Sequence, residues 1–321
     1  MKLEIDSVNS IENLDEKIDR SFNGTCFAYS WFLKLKGVKK IIKIFNKDKI
    51  IGFMPLFLND SGTQICQSTM YIPYGGPVIF DLPKEQRNQI RFIRQIENAL
   101  SVFMKEMFNE FSFSVDDKII DIMPFIRNGI IPELRYTYKI DLTQKPEEIY
   151  EKFGNDRKKE IRKAEKNNVE FYLDKTLKYF SCEKCVNWEK KYNFPSSASF
   201  VKKYIINTIK NDRGMCFVAK NNEITYGAVH IAWDKKCAYI LYSYFDPKYD
   251  VGAIAFLYYN IFKFLKEEKH INFIDFEGSV YESVENFNIS FGAYQSRYYN
   301  LHYSKENLLK LRNNMYNYFE K

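Results

Sequence analysis

Hydrophobic and polar positions along the chain follow two periods, and the switches between them outline the elements. Lys40–Asn46 and Ile50–Leu58 are dense in Ile, Phe and Leu around the polar triplet Lys47-Asp48-Lys49, which reads as a hairpin with irregularities at Gly52 and Pro55. Ile90, Ile93, Ile96, Leu100 and Phe103 recur at three- and four-residue steps, so a helix is expected over Glu85–Glu106. Ahead of these, Ser10 caps a first expected helix, and a second runs from about Phe27 to Lys36. Tyr71–Phe80 reads as a strand broken at its Pro-Tyr-Gly-Gly-Pro turn; Phe111–Val115 and Leu134–Leu142 read as two more.

The remainder shows the same order of elements. A helix is expected from Pro146 to about Asn168, then a strand over Val169–Leu173 and helices over Lys175–Tyr192 and Ser199–Lys210. Gly214–Lys220, Ile224–Trp233 and Lys236–Phe245 form a meander turned at Asn221-Asn-Glu and Asp234-Lys-Lys. Gly252–Lys266 is an apolar helix, Ile271–Phe276 a strand, and Leu301–Tyr303 the last strand before a terminal helix. Both halves thus read helix, meander, long helix, strand, which suggests a duplicated unit although little residue identity joins them. The expected architecture is a mixed-sheet α/β fold of two domains, 1–137 and 138–321.

Composition narrows the class. With 321 residues, 45% hydrophobic and 28% charged, the chain is that of a globular protein. Its 28 Phe and 24 Tyr make aromatic cores the expectation. A net charge of +7 permits an anionic ligand or a nucleic acid without requiring one. Six scattered cysteines read as reduced buried thiols, and Cys182-Glu-Lys-Cys185 lacks the second pair of a zinc site, so no metal is expected. No apolar run approaches the roughly 20 residues of a bilayer span and no signal peptide opens the chain, so a cytoplasmic location without an integral membrane segment is expected.

Candidate chemistry concentrates near the end. On a strand, Asp275 and Glu277 share one face and Phe276 the other, which presents two carboxylates either to a substrate or to solvent. His230 sits in the apolar run Ala228-Val-His-Ile-Ala-Trp, as a proton shuttle or as a hydrogen-bonded core residue. Tyr242 and Tyr244 share a strand face, as a proton donor and a substrate contact or as core tyrosines. The basic run Arg157 to Lys166 is a solvated helix face or a patch for phosphates. Tyr74-Gly-Gly-Pro77, Ser279 and Ser290 can contact substrate or merely build turns.

Several of these segments resemble one family. Arg157-Lys-Lys-Glu-Ile-Arg running into Val169-Glu-Phe, the strand Gly227-Ala-Val-His-Ile, Ala238-Tyr-Ile-Leu-Tyr-Ser-Tyr, and Phe276-Glu-Gly-Ser279 followed by Phe287-Asn-Ile-Ser-Phe-Gly292 occur in an order similar to that of the Fem-like peptidyltransferases. These pair two domains of the GNAT acyltransferase fold. The resemblance covers about residues 136–304 and implies an N-acyltransferase acting on the amino group of a sugar or peptide precursor of the cell envelope, free or nucleotide- or lipid-linked. It implies a donor that is acyl-CoA, in the first place acetyl-CoA, with aminoacyl-tRNA as the alternative, and a binding module without catalysis as a further one. It assigns Asp275 or Glu277 as base, with His230 and Tyr242 as further catalytic candidates. Arg157, Arg162, Gly252 and Ala253 would meet the anionic cofactor; Tyr74, Tyr244, Ser279 and Phe291 would meet substrate. Two departures stand out: Asn288 replaces a lysine of the aminoacyl-tRNA enzymes, and Tyr249-Asp-Val-Gly252 lacks the basic residue of a pyrophosphate loop.

Overall fold

The computed structural model describes residues 1–62, 64–66, 72–190, 197–222, 224–278 and 281–306. The chain clusters into two units, Met1–Arg135 with Arg297–Lys321, and Tyr136–Ser296.

In the first unit, strand β1 (Lys2–Ser7) precedes helices α1 (Asp15–Arg20) and α2 (Ser30–Leu35). The expected hairpin forms as β2 (Lys40–Asn46) and β3 (Lys49–Leu56), and β1 adds to its free edge with Leu3 opposite Ile44 and Ile5 opposite Ile42. Only two apolar side chains, Leu3 and Ile5, alternate in β1, too few to signal a strand without its partner. Strands β4 (Gln64–Cys66) and β5 (Val78–Ile79) follow; β5 closes the order β1-β2-β3-β5. Helix α3 (Gln86–Met107) buries Ile96, Leu100 and Met104 on one stripe, each contributing about 1.5–3 kcal/mol of apolar burial. Strand β6 (Glu110–Val115) and helix α4 (Met123–Arg127) complete the unit, and β6 pairs with the C-terminal strand, Leu301 opposite Phe113. The terminal helix expected beyond Tyr303 lies mostly outside the described residues.

Strand β7 (Ile131–Asp141) carries the chain from the first unit into the second at Tyr136. The helix expected over 146–168 is two, α5 (Pro146–Glu151) and α6 (Asn155–Lys166), because Phe153 turns into the core and Gly154 follows in extended backbone. After β8 (Glu170–Asp174) the chain does not enter a helix at Lys175. The buried Asp174 carboxylate accepts the backbone N–H groups of Thr176, Lys178, Tyr179 and Phe180 and holds a turn there, so α7 begins at Cys182 (Cys182–Lys190). Helix α8 (Ala198–Lys210) leads to the meander β9 (Gly214–Asn221), β10 (Ile224–Trp233) and β11 (Cys237–Phe245). Then come α9 (Ala253–Glu267), β12 (Phe273–Asp275), α10 (Glu282–Ile289) and β13 (Tyr294–Ser304). The strand order is β7-β12-β11-β10-β9-β8, antiparallel except for the parallel pair β11/β12. Helix α9 lays Leu257, Ile261, Phe262 and Leu265, all buried, into the core beneath that sheet.

Among the described residues no helix is long and apolar enough to cross a membrane.

Candidate functional site

The candidate site is built where two neighbouring strands separate. Strand β12 pairs with β11 through only three residues, ending at Tyr239 opposite Asp275. Beyond that point Glu277 and Gly278 both take left-handed backbone, φ +63° and +73°, and turn the chain away. Glycine is required at 278 because a Cβ would strike the Tyr136 carbonyl oxygen. Strand β11 continues alone to Phe245, so its edge from Ile240 onward has no further ladder partner among the described residues.

On its other edge β11 pairs with β10, and the register slips between His230 and Ile231. His230 opposes Tyr242 and Ile231 opposes Ile240, which leaves Leu241 as the extra residue of a bulge. A pocket of about 580 Å³ opens along this stretch, walled by Leu241, Ser243 and Phe245 of β11, Tyr258 of α9, Phe276, and Val284 and Phe287 of α10.

Three polar features mark its interior. The Ser243 hydroxyl and the Tyr258 phenol both line the pocket, and burial holds that phenol well above its ordinary range, so it keeps its proton throughout the neutral region. The Tyr258 ring is held by stacking on Phe291 at 5.1 Å and Phe276 at 5.9 Å, with Phe287 edge-on at 5.5 Å. Asn288 is buried, and its amide nitrogen has no hydrogen-bond partner among the described residues. The rim carries Glu160, Asp246 and Asp250. Each is paired with one cation: Arg157 at 2.5 Å, Lys184 at 3.7 Å and Lys163 at 2.7 Å respectively.

The residues expected from the sequence distribute differently. Asp275 is buried at the end of β12, accepting from the Thr137 hydroxyl and the Glu277 N–H and lying 3.5 Å from Lys139 on β7. Glu277 is not on the strand, so the two carboxylates do not share a strand face: the positive φ at 277 breaks the alternation. His230 is fully buried, its Nε2 2.8 Å from Thr208 Oγ1, and burial pushes its pKa down to about 3, which leaves it neutral and away from the pocket. Tyr242 and Tyr244 point to the face opposite Ser243. Tyr242 packs on Tyr204 and His230, and the Tyr244 hydroxyl donates to Tyr179 O and accepts from Ser181 N.

Arg157 is spent within the fold, its guanidinium over the Phe287 and Phe291 rings and donating to Ser290 Oγ at 3.0 Å; Ser290 in turn caps Phe287 O. Arg162 is exposed on α6, with its Nε donating to Lys158 O. Phe291 is core beneath the pocket and not its wall. Gly252 and Ala253 do line the pocket. Tyr74 is buried in the first unit against Tyr298, and the following Gly75 and Gly76 N–H groups donate to Ser114 O, which makes this motif a packed turn. Ser279 lies outside the described residues. No group of three or more His, Cys, Asp or Glu is placed to hold a metal ion among the described residues.

Reading by residue type missed Ser243, Tyr258 and Phe287. The signal available was the alternation Leu241, Ser243, Phe245, which is the complement of the tyrosine face.

No family model and no curated protein sequence matches the chain. Solved structures do match along nearly its whole length. FemX aligns at TM-score 0.68 and 13% identity, covering 97% of this chain and 99% of its own. The C-terminal domain of a putative lysylphosphatidylglycerol synthetase from Agrobacterium fabrum aligns at 0.57 and 11%, covering 92% of each chain. A tandem GNAT protein from the clavulanic acid biosynthesis pathway aligns at 0.51 and 10%, covering 95% of this chain and 99% of its own. The fold is therefore the mixed α/β fold of tandem GNAT proteins such as FemX.

Proposed function

We propose that the protein is an N-acyltransferase that takes its acyl group from a pantetheine thioester, with acyl-CoA as the free form of that donor, and passes it to an amine. The observation that carries this reading is the open edge of β11 from Ile240 to Phe245 running along the pocket. An exposed strand edge offers alternating N–H and C=O groups, and an extended chain with amides of its own can add to it as a strand would. A pantetheine arm carries two amides and ends in the thioester, whereas a nucleotide ester carries none.

In the transfer the amine nitrogen attacks the thioester carbon; the N–C bond forms, the C–S bond breaks, and the amine gives up one proton while the departing sulfur gains one. The Tyr258 phenol lines the pocket beside Ser243 and is the group proposed to hydrogen-bond the sulfur as it leaves and to relay a proton to it. The Asn288 amide is suited to donate to a carbonyl oxygen of the donor as charge builds there. The amine is proposed to belong to a sugar or peptide precursor of the envelope, handled in the cytoplasm. The likeness to FemX, a lysylphosphatidylglycerol synthetase domain and a tandem GNAT protein supports group transfer as the class.

The test is thiol release from acetyl-pantetheine in the presence of amino sugars, nucleotide-linked amino sugars and amine-bearing peptides. Ser243→Trp, which fills the pocket, should abolish turnover while the folded state persists. Turnover in that variant equal to wild type removes the pocket from the reaction.

A further inference from the structure

We propose that the acyl-bearing arm is delivered to this pocket by an acidic carrier protein that docks on the outer face of α6. This rests on the pantetheine-thioester reading above and adds the identity of the donor. The first observation is that positive and negative charge balance at the edge of the pocket. The rim carries the carboxylates of Glu160, Asp246 and Asp250, and the cations beside them, Arg157, Lys184 and Lys163, are engaged one to one. That arrangement leaves the surplus positive charge on the outer face of α6, beside the entrance and not within it.

The second observation is where that surplus lies, Lys163 being already engaged by Asp250. Lys159, Arg162, Lys163 and Lys166 fall at positions i, i+3, i+4 and i+7 of α6 and are all exposed, forming one cationic stripe. Asp156 at its N-terminal end pairs with Lys159 at 3.5 Å. The Lys163–Asp250 pair places this stripe directly beside the pocket rim. A cationic helix face next to a pocket that borders an open strand edge fits a partner whose surface is acidic and whose arm projects from that surface. That is the chemistry of a carrier protein bearing phosphopantetheine on a serine. On transfer, the carrier's thiol is regenerated with the proton lost by the amine.

Binding of three probes separates the possibilities: acetyl-pantetheine, acetyl-CoA, and an acidic acyl carrier protein loaded with an acetyl thioester. Each is titrated against wild type and against the triple variant Lys159→Glu, Arg162→Glu, Lys166→Glu, whose melting temperature is checked in parallel. The loaded carrier should bind about tenfold or more tightly than acetyl-pantetheine, and the triple variant should lose that gain while binding acetyl-pantetheine as before. Acetyl-CoA should bind no more tightly than acetyl-pantetheine. The proposal is overturned if acetyl-CoA is the tightest ligand, if the triple variant binds the carrier unchanged, or if the stripe instead binds RNA with steep salt dependence and the carrier not at all. Failure of acetyl-pantetheine itself to bind, with Ser243→Trp without effect on any probe, would sink the pocket reading and not merely the docking.

Discussion

Gly252 lies against the Glu160 carbonyl, with its own backbone at φ +73°, so the start of α9 is set by contact with the middle of α6. Two penalties coincide for any other residue there: a collision with backbone that cannot swing aside and a left-handed conformation that L side chains resist. Gly252→Ala should therefore destabilise the protein by about 3 kcal/mol or more, read as a lower urea midpoint. An unchanged midpoint would mean that α6 and α9 do not meet in this way.

Asp275 and Lys139 form a pair on adjacent strands in the core of the second unit. Asp275→Asn removes the charge that faces Lys139 and weakens the acceptor of the Thr137 hydroxyl and the Glu277 N–H, so it should cost about 3 kcal/mol in stability. Adding Lys139→Met should recover part of that loss. A catalytic base would behave otherwise, with kcat falling while the unfolding midpoint stays put.

His230 supplies an acid-side signature. Its folded pKa is pushed down to about 3 by burial, against an ordinary value of 6.5. Above pH 6.5 neither state is protonated and the residue is neutral to stability. As pH falls below 6.5 the unfolded chain takes up a proton that the folded one refuses, and stability is lost at up to about 1.4 kcal/mol per pH unit. His230→Gln should remove this part of the slope between pH 7 and pH 5, measured by urea unfolding at each pH.

Glu97 supplies the opposite signature. It is buried on α3, both carboxyl oxygens lack a hydrogen-bond partner among the described residues, and burial pushes its pKa up to about 9. From pH 4.5 to about 9 the unfolded chain is ionised there and the folded one is not, so stability declines as pH rises through that window. Glu97→Gln should raise the melting temperature at pH 8 and change it little at pH 4.5. An equal effect at both pH values would refute the titration.

Tyr258→Phe keeps the stacked ring and deletes the phenol. Thiol release should slow by about a hundredfold or more if the phenol protonates the departing sulfur, with the melting temperature nearly unchanged. A rate equal to wild type would leave Tyr258 as a wall residue only.

Local pattern determined much of this protein. The hairpin of β2 and β3, helix α3, the meander β9–β11 and helix α9 are all legible because each carries a strong hydrophobic period over enough residues to bury one face. Tertiary contact decided the rest. Strand β1 exists through pairing with β2, the turn after β8 through the Asp174 carboxylate, and the end of β12 through the contact of Gly278 with Tyr136. The pocket belongs to this second group. Alternation in β11 separates Tyr242 and Tyr244 from Leu241, Ser243 and Phe245, but a period of two does not say which face packs on helices and which borders a cavity. That depends on where β12 stops and where α7 and α8 lie, and so the chemically conspicuous tyrosines went into the core while the pocket took a serine, a leucine and a phenylalanine.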